Sequence, residues 1–155
     1  MAILKEIITN SPEETEAVGF ELAEMIRDDL SLPSFVALYG DLGVGKTAFV
    51  RGFTKVFSPS ALVRSPTFAL VNEYPTKSGR RVFHFDMYRI TDEDDLYSIG
   101  YDDYLARDAI ILTEWSENIP FALPECYIEV VIEKDDVTSP DSRLIRITQK
   151  EVPLC

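Results

Sequence analysis

Positive charge is scarce in this 155-residue chain: Lys and Arg number 15 against 27 Asp and Glu, for a net charge of -12 at pH 7. An acidic surface repels a phosphate backbone at long range, so the composition disfavours a general nucleic-acid binder. Where a nucleic acid takes part in the function, we therefore expect a partner protein to hold it.

Cysteine and long apolar runs are also scarce. The two cysteines, Cys126 and Cys155, have no C-x-x-C spacing, so we expect reduced thiols and no zinc site. No apolar run approaches the roughly 20 residues that a membrane-spanning helix needs. The stretch from Met1 to Asn10 has no basic region followed by a long apolar run, unlike a secretory signal. These absences predict a cytoplasmic protein without a membrane segment.

The composition is otherwise that of an ordinary globular chain, with 46% hydrophobic and 27% charged residues. Its length favours one domain spanning residues 1–155. Apolar or alternating segments, which predict strands, alternate along the chain with helical patterns. We expect an α/β fold with a mixed, mostly parallel central sheet flanked by helices, and antiparallel strands at an edge. The predicted strands are residues 2–9, 34–39, 67–74, 81–88, 109–113, 127–133 and 143–149.

The first helix has a clear start signal. Ser11 can cap it, Pro12 suits its first turn and Glu14 completes a capping box. Four apolar residues at helical spacing predict a buried face, and Pro33 is expected to help end the helix. These four are Val18, Leu22, Ile26 and Leu30. Residues 92–105 are expected to form one or two short helices interrupted at Gly100.

A glycine-rich segment, Gly40 to Thr47 (GDLGVGKT), matches the phosphate-loop pattern G-x-x-x-x-G-K-[ST]. It follows an apolar strand and opens an amphipathic helix, as phosphate binding by backbone N–H groups and a helix N-terminus requires. Lys46 is expected to reach the β- and γ-phosphates and Thr47 to bind Mg²⁺. Without ligand, we expect the Lys46 side chain to face solvent.

Two acidic residues are candidates for holding Mg²⁺ or its waters. Asp86 lies on a strand whose alternation puts it on one face with His84 and Tyr88. Glu114 ends the apolar segment that begins at Ala109 and is followed by Trp115, as in a Walker B strand. Glu114 could bind the metal through water or orient the attacking water. The sequence leaves open which of the two carboxylates is closer to the metal.

The segment from Ser65 to Phe68 lies where many switch NTPases sense the γ-phosphate. By its pattern alone it is a turn. Arg64 and Arg89 could offset phosphoryl charge, although arginines in so acidic a chain more often pair with carboxylates.

Taken together and in order, five motifs resemble the bacterial TsaE (YjeE) family, the ATPase of tRNA threonylcarbamoyladenosine biosynthesis. The resemblance runs from about the first helix to Trp115, and a closing hairpin follows it. The motifs are GDLGVGKT from Gly40, SPTF from Ser65, HFDMYR from His84, DLYSIGYDDYL from Asp95 and LTEW from Leu112.

The resemblance implies a small P-loop NTPase fold that binds ATP or ADP with Mg²⁺ and hydrolyses ATP slowly by itself. It implies action with TsaD and TsaB, which modify adenosine 37 of tRNAs reading ANN codons, so that tRNA is met through partners.

Site residues follow by motif from the same resemblance. Lys46, Asp86 and Glu114 would be catalytic, and Thr47, Asp86 and Glu114 would serve the metal. The segment from Ser11 to Thr15 would approach the nucleotide base. Nucleotide binding would fall to Ser11 and to the loop residues Asp41, Leu42, Gly43, Val44, Gly45, Lys46, Thr47 and Ala48.

Three other functions fit parts of the sequence. A P-loop small-molecule kinase fits the length, but Arg107, Arg143 and Arg146 are too scattered for an arginine-rich lid. A GTP-dependent switch would need an acid after the Thr76-Lys77 pair, where Ser78 and Gly79 stand instead. A nucleotide-dependent interaction module without hydrolysis would use the same loop.

Overall fold

The computed structural model describes residues 2–41, 43–63, 71–76, 80–135 and 139–151. Five predicted features therefore lie outside the described residues: Leu42, Arg64, the segment from Ser65 to Phe68, the turn residues 77–79 and Cys155.

A seven-stranded mixed sheet forms the centre of the described structure, in the order β1-β7-β6-β2-β5-β4-β3. The central strands β6, β2, β5 and β4 are parallel, as predicted. Antiparallel pairs occur at both margins rather than at one, because β1 pairs with β7 and β3 with β4. The strands are β1 (Ala2–Thr9), β2 (Phe35–Tyr39), β3 (Val71–Tyr74), β4 (Arg81–Asp86), β5 (Ala109–Glu114), β6 (Cys126–Lys134) and β7 (Arg143–Glu151).

Helix α1 (Pro12–Asp28) begins as its sequence predicts, since the Ser11 hydroxyl accepts the backbone N–H of Glu14. Val18, Leu22 and Ile26 are buried. Leu30 was expected on the same face, but it is 85% exposed because the helix ends before it. A side-chain turn ends the helix earlier than Pro33: Asp29 Oδ1 accepts the backbone N–H of Ser31 at 3.0 Å.

Helix α2 (Lys46–Phe57) packs against α1 on one face of the sheet. Two glycines set their separation. A Cβ on Gly19 would overlap the carbonyl oxygen of Phe49, and one on Gly52 would overlap that of Glu16. The two helix backbones are therefore in direct contact.

Two short helices, α3 (Glu93–Ser98) and α4 (Tyr101–Leu105), contribute to a second apolar cluster built on Phe83 and Phe85 of β4. The break between them falls at Gly100, as predicted. Two 3₁₀ turns follow β5, at Ser116–Asn118 and Pro120–Ala122.

No helix among the described residues combines the length and the apolar character needed to cross a membrane. Cys126 lies at the start of β6. Because Cys155 lies outside the described residues, the expectation of reduced thiols stays a prediction.

Candidate functional site

The glycine-rich loop connects the carboxyl end of β2 to the first turn of α2. Gly40 and Gly43 both have positive φ, +151° and +79°. A Cβ on Gly40 would lie 2.6 Å from the Ile132 carbonyl oxygen and 2.8 Å from Val44 Cγ2. A Cβ on Gly43 would meet no heavy atom of the described chain within 4 Å. Gly40 is thus required by packing, whereas Gly43 leaves one side of the loop backbone open to a ligand.

Lys46 is not solvent-facing, contrary to expectation. Lys46 lies at the base of the loop and is only 6% exposed. Nζ donates a hydrogen bond to the Gly40 carbonyl oxygen at 2.7 Å and lies 4.4 Å from the centroid of the Trp115 ring. A carbonyl and an aromatic face both stabilise an ammonium group that has lost part of its water, which explains the inward orientation.

The other predicted loop residues surround the same opening. Thr47 is half-buried on the first turn of α2, and Ala48 and Val44 are buried. Asp41 is exposed at the start of the loop. The structure therefore brings every described member of the predicted phosphate loop to the carboxyl end of β2.

The start of α1 lies beside the loop, since a Cβ on Gly45 would be 3.8 Å from the methyl carbon of Thr15. The Ser11 hydroxyl caps α1. Nucleotide binding by Ser11 stays a prediction. A buried hydrogen bond of 2.8 Å joins the hydroxyls of Thr15 and Thr9, which fixes this wall of the loop.

Asp86 and Glu114 are register partners at the carboxyl ends of the parallel strands β4 and β5. Carboxyl ends of parallel strands share one edge of the sheet, which is why residues far apart in sequence meet beside the loop. Asp86 Oδ1 accepts the backbone N–H of Tyr88 at 2.9 Å. Glu114 is 5% exposed, and its Oε2 lies 2.5 Å from Nε2 of His84, which is fully buried.

Electrostatics at this edge favour a cation. Partial burial raises the pKa of the Asp86 carboxyl and the neighbouring charge of Glu114 raises it further, while the hydrogen bond from the Tyr88 N–H and the charge of Lys46 act in the opposite direction. Within the described ranges, no group of three or more His, Cys, Asp or Glu side chains is arranged to hold a metal ion. The residues fit Mg²⁺, which commonly takes one or two carboxylates and completes its shell with water and phosphate oxygens.

Trp115 follows Glu114 and has left-handed backbone angles, φ 58° and ψ 41°. Its ring lies 5.0 Å from that of Tyr88, between centroids. The Asn118 amide donates to the carbonyl oxygens of Met87 and Tyr88, at 2.9 and 3.2 Å. The segments after β4 and β5 are therefore tied together around the mouth of the loop. Arg89, in the first of these segments, is exposed.

Sequence reasoning missed Arg143 as part of the site. Its Nε donates to the carbonyl oxygen of Val44 at 3.0 Å, and Nη1 donates to those of Pro140 and Ser142, at 2.7 and 2.9 Å. The Ser142 hydroxyl in turn donates to Asn10 Oδ1 at 2.8 Å. Arg143 thus attaches the loop to the turn between β6 and β7. Nothing in its local sequence distinguishes it from the other arginines.

Fold and loop together define a small α/β protein of the P-loop type, with the glycine-rich loop between a central parallel strand and a helix. The family model described as "Threonylcarbamoyl adenosine biosynthesis protein TsaE" matches residues 9–145. The chain belongs to the TsaE family.

Curated relatives agree, and each carries the name tRNA threonylcarbamoyladenosine biosynthesis protein TsaE. The Aquifex aeolicus protein is 37% identical over 153 residues, which cover 97% of this chain and 100% of the relative. The Bacillus subtilis protein is 33% identical over 140 residues, 90% of this chain and 82% of the relative. The Haemophilus influenzae protein is 44% identical over 101 residues, 65% of this chain and 63% of the relative.

A solved structure shows the same fold. The crystal structure of Bacillus subtilis YdiB superposes with a TM-score of 0.71 at 26% identity, covering 96% of this chain and 87% of that one. The expected α/β architecture is thereby confirmed.

Proposed function

We propose that the chain is a Mg²⁺-dependent ATPase that supports threonylcarbamoylation of adenosine 37 in tRNAs reading ANN codons, acting in the cytoplasm with TsaD and TsaB. One observation carries the catalytic part. The Lys46 ammonium group and the carboxyl-end acids Asp86 and Glu114 lie around the opening of a single glycine-rich loop. The names of the relatives support the pathway.

The residues divide the work by chemistry and position. The backbone N–H groups from Leu42 to Thr47 would bind the phosphates, and Lys46 would exchange the Gly40 carbonyl for a phosphate oxygen. Thr47 and Asp86 would hold Mg²⁺, which neutralises phosphate charge when bound. Glu114 would orient the attacking water through its carboxylate, because it lies beside Asp86 at the carboxyl ends of β4 and β5.

The charge of the chain supports an indirect encounter with tRNA. At a net charge of -12 the surface repels the phosphate backbone, so the substrate would be held by TsaD and TsaB. ATP hydrolysis here would then change the state of that assembly rather than act on the nucleoside itself.

The decisive experiment measures ATP hydrolysis with Mg²⁺, first by the protein alone and then with TsaD and TsaB. We expect slow turnover alone, strong stimulation by the partners and no turnover of GTP. Phosphoryl transfer to an added small alcohol or nucleoside would favour a kinase instead. Nucleotide binding without any turnover, alone or with the partners, would leave a nucleotide-dependent interaction module.

The role of Glu114 is tested separately by Glu114→Ala. We expect this variant to bind ATP and lose turnover. Unchanged turnover would refute the assignment of Glu114 while leaving the ATPase proposal intact.

A further inference from the structure

We propose that His84 is a positioning residue that holds the carboxylate of Glu114 in its working orientation through a hydrogen bond donated by Nε2. The inference rests on the proposed ATPase function, because it concerns the group assigned to the attacking water.

The contact is short, buried and specific. His84 is the only histidine in the chain and has no solvent exposure. Its Nε2 lies 2.5 Å from Oε2 of a glutamate that is itself 5% exposed. In the parallel register of β4 and β5, His84 faces Leu112 and Asp86 faces Glu114. The glutamate side chain therefore reaches back along the sheet to the histidine instead of extending towards solvent.

The surroundings of the ring indicate which nitrogen carries the proton. Nδ1 is buried and has no hydrogen-bond partner among the described residues. A carboxylate oxygen can only accept, so the short contact requires the proton on Nε2. The Tyr74 ring lies 6.3 Å away between centroids and packs beside the imidazole, which limits its rotation.

This arrangement commits one oxygen of Glu114 to His84, so the other oxygen would hold the water in the proposed function. A carboxylate that orients a reactant must keep its place to within about 0.5 Å, and a hydrogen bond from a fixed buried donor achieves that. Without the donor, the buried carboxylate loses a charge-assisted bond and gains rotational freedom. Nucleotide affinity should change little, because His84 contacts Glu114 and Tyr74 rather than the described residues of the glycine-rich loop.

Two amide substitutions of His84 separate the effect of the hydrogen-bond donor from the effect of side-chain volume. The His84→Gln amide nitrogen stands as far from Cβ as Nε2 does, whereas that of His84→Asn reaches only as far as Nδ1. We expect His84→Asn to lose about 10- to 100-fold in the kcat of ATP hydrolysis and His84→Gln to recover most of it. The Kd for ADP should stay within about threefold in both variants, since the loss lies in the chemical step.

A spectroscopic readout tests the contact without nucleotide. With ¹⁵N-labelled histidine the chain gives one pair of ring nitrogen signals. We expect a protonated Nε2, whose proton signal moves upfield in Glu114→Gln. An Nε2 without a proton, or signals insensitive to Glu114→Gln, would overturn the proposal.

The kinetic outcomes also separate this proposal from the proposed function. If hydrolysis depends on Glu114 but His84→Gln and His84→Asn have equal kcat values, the positioning role of His84 is wrong. The proposed ATPase function would still stand. No ATP hydrolysis by the wild-type protein, even with TsaD and TsaB, would overturn the ATPase function and with it the catalytic meaning of this contact.

Discussion

The ammonium nitrogen of Lys46 lies between the carbonyl oxygen of Gly40, at 2.7 Å, and the face of Trp115, at 4.4 Å from the ring centroid. Both contacts come from the walls of the loop. We therefore expect phosphate binding to exchange these partners of Lys46 rather than to recruit its side chain from solvent.

Lys46→Ala should consequently destabilise the protein even without nucleotide. We expect the free energy of unfolding to fall by about 1–3 kcal/mol, because a partly buried carbonyl loses its donor and a cation–π contact disappears. Urea denaturation measures the change. Lys55→Ala on the same helix is the control: its ion pair with Glu16 is exposed and worth less than about 1 kcal/mol. Equal losses for the two variants would contradict the buried role of Lys46.

Alanine substitutions at two loop glycines should separate packing from ligand access. We expect Gly43→Ala to cost about 1–2 kcal/mol of stability, from its left-handed backbone alone. Gly40→Ala should cost more, since its Cβ would also press on Ile132 and Val44. Gly43→Ala should nevertheless reduce ADP affinity by at least about tenfold, as its methyl group would block the open side of the loop. Calorimetric titration with ADP checks this, and unchanged affinity would refute phosphate binding there.

Arg143→Ala should weaken nucleotide binding although Arg143 comes from the opposite end of the chain. Its loss frees the Val44 carbonyl from the β6–β7 turn, and a hydrogen bond of about 1 kcal/mol corresponds to roughly a fivefold increase in the Kd for ADP. The matched control on the same strand is Arg146→Ala, which removes only an exposed ion pair with Glu6. Its Kd should change less than about twofold. Indistinguishable affinities would show that the loop holds its shape without Arg143.

Asp86→Asn should stabilise the protein at pH 8 when nucleotide and Mg²⁺ are absent. The pKa of Asp86 is raised above 3.8 in the folded state, first by desolvation. Between pH 3.8 and that raised pKa the folded chain binds more protons than the unfolded one, so stability falls as the pH rises through this window. The asparagine variant avoids this loss, while its amide oxygen can still accept the Tyr88 N–H.

Asp95→Asn provides a control of opposite sign. Hydrogen bonds from Thr91 lower the pKa of Asp95, so its charge contributes stability above pH 3.8 that is lost as the pH falls through the lowered folded pKa. Thermal melts at pH 8 should therefore rise for Asp86→Asn and fall for Asp95→Asn. A lower melting temperature for Asp86→Asn would show that its ionised form is stabilised by neighbours rather than destabilised by burial.

Local signals in the sequence predicted most of the fold. The capping pattern at Ser11 and the break at Gly100 act over a few residues, and both appear where they were expected. The predicted burial of Leu30 was wrong because helical periodicity does not indicate where a helix ends. The side-chain turn at Asp29 ends α1 before the fourth apolar residue could reach the core.

The candidate site could be predicted only as a set of residues, not as an arrangement. The motif around Gly40 and the strand-end acids came from local pattern. The burial of Lys46 depends on Trp115, and the partner of Glu114 depends on β4 lying beside β5. Such contacts arise from the order of strands in the sheet, which periodicity does not encode. For the same reason, the sequence did not predict that Arg143 contacts the loop.

The direct backbone contact of α1 and α2 at Gly19 and Gly52 has a mechanical consequence for any response to ligand. Where two helix backbones touch, no side chains lie between them that could rearrange and let one helix shift or rotate against the other. Helix α2, which carries Lys46 and Thr47, is therefore held in place against α1. Among the described residues, we expect a bound nucleotide to shift the segments after β4 and β5, which Asn118 joins, rather than α2.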